Sequence, residues 1–102
     1  MLRTQANARI HAAATVMAVG AAWWLEISPL EWCAVVLAVG AVWTAEAFNT
    51  ALEALVDLAS PEQHPLAGRA KDVAAGAVLC AAIAAGSVGA IIFLPKLAAA
   101  LF

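Results

Sequence analysis

Apolar residues fill three long runs of the chain, roughly Ile10–Leu25, Leu30–Leu55 and Val73–Leu94, and most polar residues gather before and between them. A helix crosses a hydrocarbon core of about 30 Å with about 20 mostly apolar residues. Continuous apolarity does not by itself separate a buried strand from a helix, but runs this long, dominated by Ala, Leu and Val, favour helix. Lipid adds that backbone groups must be satisfied within each segment. The pattern predicts an all-α membrane protein, one domain over residues 1–102, with three spans at about 10–28, 30–57 and 70–95. Ser28-Pro29 marks a tight turn, with the proline placed to open the second helix. In "SPEQHPLAGRAKD", Ser60 followed by Pro61 and Gln63 fits a capping box opening a short turn, and Pro65 starts the third helix.

Composition strengthens the membrane reading. Of 102 residues, 66% are hydrophobic and 12% charged, more apolar surface than so short a chain can hide in its own core. The first run has no small-x-small exit and two more runs follow, so it reads as a retained helix and not a cleaved leader. Arg3 and Arg9 precede the first run and Arg69 and Lys71 the third, whereas the first connection, "LEISPLEW", has no Lys or Arg. By the positive-inside bias, the N-terminus and the second connection face the cytoplasm, with Lys96 on the far side. Trp23, Trp24 and Trp32 gather at the outer boundary, and Trp43 lies deeper and packs. Cys33 and Cys80 have no ligand spacing and read as small packing residues. In the third run Gly76, Cys80 and Ala84, then Ala85 with Gly89 and Gly86 with Ala90, repeat every four residues, a spacing that lets helices approach closely and points to an oligomer. No nucleic-acid partner is expected.

One stretch does not suit a simple span. "AEAFNTALEALVDLAS" puts Glu46, Asn49, Glu53 and Asp57 at the end of the second run. On a helix they fall within an arc of about 80° and climb about 16 Å. Asp57 and Glu53 lie near the surface, but Glu46 is more than two turns inside and needs a partner or a use. Hard oxygen donors a turn or two apart suit Mg²⁺, which takes one or two carboxylates and fills its remaining positions with water and phosphate oxygens. Lys71-Asp72 at the start of the third helix returns to the same side, and a lysine beside such a site reads as a phosphate contact. Together they point to phosphoryl transfer, where neutralisation and positioning supply most of the catalysis. No Walker-type glycine loop occurs, so any ATP site is not a P-loop. His11 and His64 share no metal spacing and read as interfacial or loop residues, and Thr15 and Ser87 as hydroxyls bonded back to their own helices. Arg69 reads as a headgroup anchor; for Arg9, anchoring and a phosphate contact weigh equally.

The blocks "EAFNTALEALVD", "HPLAGRAKDVAAGAV" and "IIFLPKL", with "NARIH" at Asn7–His11, resemble the small bacterial membrane lipid kinases, the diacylglycerol kinase and undecaprenol kinase family, over most of the chain. The wording of the second block is nearer the undecaprenol kinase branch. The resemblance implies an ATP- and Mg²⁺-dependent kinase acting on the hydroxyl of a membrane lipid, undecaprenol or diacylglycerol, at the cytoplasmic face of the bacterial inner membrane. It also implies a homotrimer with sites shared between neighbours. On matching positions it implies Glu46 as general base, Glu53 as metal ligand, Asn49 between them, Lys71 on the transferred phosphate and Asp72 beside it. Gln5 stands where the family carries a further metal-ligating glutamate, and only nine residues precede Ile10, so the family's N-terminal surface helix is expected to be missing. Two other readings are open: a catalytically silent, structural or lipid-binding oligomer, separated by whether ATP binds with Mg²⁺, and an ion or proton path along Glu46 and Glu53. The path reading leaves Lys71-Asp72 without a task.

Overall fold

The computed structural model describes the backbone of residues 2–62 and 64–102 and the side chains of residues 7–62 and 64–102. Three helices follow one another: α1, Leu2–Trp24; α2, Pro29–Ala59; and α3, Pro65–Leu101. They form a rod with extents of 56 × 22 × 20 Å. α2 and α3 are each long and apolar enough to cross a membrane.

The helices depart from the expected spans at several boundaries. α1 is helical from Leu2, because the polar residues ahead of Ile10 continue the same helix, and it stops at Trp24, short of residue 28. It stops there because Glu26 adopts φ 52°, a left-handed conformation that ends a helix. The Glu26 and Ile27 amides then donate to the carbonyls of Trp23 and Ala22, both at 3.3 Å. α3 runs through Pro95 to Leu101, past the expected end near residue 95. A proline inside a helix loses one backbone bond, which membrane-embedded helices tolerate.

Ser28 caps α2. Its hydroxyl accepts from the Glu31 amide at 3.1 Å, the Glu31 carboxylate accepts from the Ser28 amide at 2.9 Å, and Pro29 follows as the first helical residue. The capping box expected at Ser60 depends on Gln63, which lies outside the described residues. Ser60 ends α2, its amide donating to Val56 O at 2.8 Å and its hydroxyl to Glu62 O at 3.0 Å. α3 is capped by His64, whose Nδ1 accepts from the Leu66 amide at 3.1 Å, ahead of Pro65.

Packing is concentrated at the Ser28 end. Ala22, Ile27, Val35 and Ile92 are buried there, with Trp32, Val88 and Phe93 packed against them. Those four are the buried apolar side chains among the described residues. Large apolar residues elsewhere point outward, including Trp23 and Trp24 on α1 and Leu58 at 81% exposure on α2. Cys33 and Cys80 are exposed too and do not serve as packing residues within the chain. An inside-out distribution of this kind fits a lipid surround.

Candidate active site

The polar stripe of α2 faces α1 at its deepest point. His11 and Thr15, one turn apart, are the polar pair on the otherwise apolar stretch from Ile10 to Ala22, and they meet Trp43 and Glu46, likewise about a turn apart on α2. His11 Nε2 lies 3.2 Å from Glu46 Oε2, with the two side chains 17% and 9% exposed. With Nε2 protonated, the ring donates this hydrogen bond to the carboxylate oxygen. The Trp43 indole N–H donates to Thr15 Oγ1 at 3.0 Å, and that hydroxyl donates to the His11 carbonyl at 2.7 Å. The Trp43 ring meets the imidazole edge-on, centroids 6.1 Å apart at 62°. Glu46 is the buried charged residue among those described, and this network supplies its partner.

One turn further, Asn49 Oδ1 is shielded from solvent and finds no hydrogen-bond partner among the described residues. Glu53, on the same face, is half-buried, and among the described residues its carboxylate has no hydrogen-bond or ion-pair partner. At the end of the stripe Asp57 accepts an ion-paired hydrogen bond from Lys71 of α3. Asp72 and Arg9 are exposed, and the Gln5 side chain lies outside the described residues. Among the described residues no hydrogen bond or ion pair joins Glu46, Asn49, Glu53, Lys71 and Asp72 to one another. Glu46 and Asp57 are separated by about 16 Å of helix axis, so Lys71, held on Asp57, stands away from Glu46.

Two hollows flank the stripe. A cleft of about 260 Å³ between the three helices has apolar walls including Val35, Val39, Ala85, Gly89 and Phe93, with His11 and Thr15 at its polar end. A wider hollow of about 590 Å³ at the α2–α3 connection is lined by Asp57, Ser60, Glu62, His64 and Lys71.

The donor set suits a magnesium–nucleotide complex better than a bare ion. No three His, Cys, Asp or Glu side chains cluster among the described residues. Magnesium needs only one or two protein oxygens when phosphates and water supply the others. Glu53 and the unpartnered Asn49 oxygen, both hard donors about a turn apart, meet that requirement.

The stripe on α2 was readable from helical periodicity. His11 as the partner of Glu46 was not read, although a histidine and a threonine four apart on an apolar helix are a polar face in need of a partner. The ion pair between Asp57 and Lys71 also went unread.

Comparison with known proteins bears directly on this arrangement. The family profile described as prokaryotic diacylglycerol kinase matches residues 1–93. An undecaprenol kinase of Bacillus subtilis is 43% identical over 95 residues, covering 93% of this chain and 77% of that protein. A diacylglycerol kinase of Synechocystis is 43% identical over 95 residues, 92% of this chain and 54% of that protein. The diacylglycerol kinase of Escherichia coli K12 is 38% identical over 81 residues, 79% of this chain and 66% of that protein.

Proposed function

We infer that the chain, which belongs to the prokaryotic diacylglycerol kinase family, is a lipid kinase that transfers the γ-phosphoryl group of ATP to the hydroxyl of a membrane lipid, undecaprenol or diacylglycerol. The observation that carries the reading is the Glu46 carboxylate, nearly buried on an apolar helix and held by His11 beside an apolar cleft. A lipid hydroxyl has to meet its base at such a boundary, with the hydrocarbon chain lying along the cleft.

In the reaction the lipid O–H bond breaks and its proton passes to Glu46, while the oxygen forms a bond to the γ-phosphorus. The bond from that phosphorus to the bridging oxygen breaks, and ADP leaves with the electron pair. Glu53 and Asn49 would hold Mg²⁺, which when bound neutralises phosphate charge. Lys71 is assigned to the phosphate while it stays paired with Asp57: an ammonium has three donors, so one on Asp57 leaves two for the nucleotide. Asp72 and Arg9, exposed on the same side as Lys71, are placed to contact the nucleotide, and Gln5 is assigned a neutral oxygen near the metal.

The site is assigned to the cytoplasmic face of the bacterial inner membrane by the placement of Arg3, Arg9, Arg69 and Lys71. Three spans and a homotrimer complete the reading. The trimer is supported by the exposed apolar faces and by Gly76 and Gly86, where an added Cβ would meet nothing within 4 Å in the same chain, leaving close-approach surfaces for a neighbour. Nothing in the fold or the matches favours a silent scaffold.

The test is transfer of radiolabelled phosphate from ATP to undecaprenol and, separately, to diacylglycerol in detergent micelles, with and without Mg²⁺. Magnesium-dependent product on either lipid is the expected result and names the substrate. A folded oligomer that labels neither lipid would refute the assignment.

A further inference from the structure

We propose that His11 is a positioning residue of the reaction: its Nε2–H holds the Oε2 atom of Glu46, so that Oε1 is turned to the lipid hydroxyl. The inference rests on the proposed role of Glu46 as base and adds the group that aims it. A glutamate has three side-chain torsions, and one left alone on an apolar helix samples several rotamers. Here the carboxylate is tied at 3.2 Å to a ring that is itself fixed. The His11 backbone accepts from Thr15, Thr15 accepts from Trp43, and the Trp43 ring closes on the imidazole edge, so three side chains from two helices hold one carboxylate. The same imidazole and Thr15 form the polar end of the apolar cleft, so the residue that holds Glu46 also lines the space where a lipid chain can lie. The group acts through Glu46 and not on phosphate: among the described residues no Lys or Arg lines that cleft, and the Thr15 hydroxyl there is engaged with the His11 carbonyl. Pre-organising a base costs nothing at the moment of reaction, whereas a freely rotating one loses entropy and alignment on every turnover.

The experiment is steady-state phosphoryl transfer at saturating lipid by His11→Ala, His11→Gln, Glu46→Gln and the double variant His11→Ala/Glu46→Gln, each checked for oligomer size and melting temperature. A hydrogen bond to a carboxylate that aligns the base predicts about a tenfold fall in kcat for His11→Ala, with KM for ATP unchanged. His11→Gln, whose amide N–H reaches about where Nε2 stands, recovers most of the rate. In the Glu46→Gln background, His11→Ala costs nothing further, because there is no carboxylate left to aim. Wild-type kcat in His11→Ala, equal loss in the Ala and Gln variants, or multiplying losses in the double variant would each overturn the proposal. Failure of the underlying reading is separate, since it would appear as full turnover by Glu46→Gln itself.

Discussion

At one end of the α2–α3 hairpin Glu31 meets Lys96 at 3.3 Å, and at the other Asp57 meets Lys71, so each end joins a carboxylate of α2 to a lysine of α3. Along α2 the two carboxylates are about 39 Å apart, more than the thickness of a hydrocarbon core, about 30 Å. Their surroundings differ. Glu31 also closes the cap on Ser28, and the buried cluster of Ala22, Ile27, Val35 and Ile92 lies alongside. Both Glu31 carboxylate contacts there, to the Ser28 amide and to Lys96, are structural. At the other end the stripe leads inward from Asp57 through Glu53 and Asn49 to Glu46, with a shielded oxygen on Asn49 lacking a partner among the described residues and little apolar packing around it. The same ion-pair chemistry thus closes the fold at one end and borders the proposed site at the other, and the shielded, unpartnered Asn49 oxygen tells them apart.

Substitutions at matched positions sharpen that contrast. The largest effect is expected for Glu53→Gln, which removes the charge proposed to bind metal and is predicted to abolish Mg²⁺-dependent turnover at any accessible metal concentration, measured as labelled lipid phosphate. Glu46→Gln lowers kcat by about 10²–10⁴-fold, the usual contribution of a general base, and leaves KM for ATP unchanged. Next come the two lysines. Lys71→Met reduces turnover by about 10²-fold, while Lys96→Met keeps turnover and shifts only the melting temperature, by the small amount expected of a partly exposed ion pair, about 0–1 kcal/mol. Equal effects of the two lysine variants on rate would erase the distinction between the ends.

Two smaller predictions concern the structural end alone. Ser28→Ala loses the cap and destabilises α2 by about 1 kcal/mol, read from a thermal melt in detergent, with kcat unchanged. Glu26→Gly relieves a non-glycine residue at φ 52° and raises stability by about 0.5 kcal/mol, the left-handed cost being partly offset by the greater freedom of glycine in the unfolded chain. A fall in stability would show that the Glu26 side chain has a task of its own.

The features legible in the sequence were those that depend on one helix. The apolar runs, the proline openings at Pro29 and Pro65 and the stripe from Glu46 to Asp57 follow from local pattern and periodicity. Features that depend on how helices cross were not legible: His11 finds Glu46 across 35 positions because α1 meets α2 in a register set by side-chain packing, which no local motif encodes. Asp57 finds Lys71 because the connection between α2 and α3 is short. The cap at Ser28 could have been read, since Ser28 and Glu31 have the spacing given to Ser60 and Gln63. At Ser60 the amide already belonged to α2, and His64 took the capping task of α3. α1 ended early because Glu26 turned left-handed, a conformation that composition assigns to glycine first.

The most direct test of the central claim, that the Asp57 end of the hairpin is a phosphoryl-transfer site, is lipid phosphorylation from ATP by the wild-type chain, Glu46→Gln and Glu53→Gln side by side at saturating Mg²⁺. The account predicts a working wild type, a Glu46→Gln enzyme slowed in kcat alone and an inactive Glu53→Gln. Full activity in both variants would contradict it.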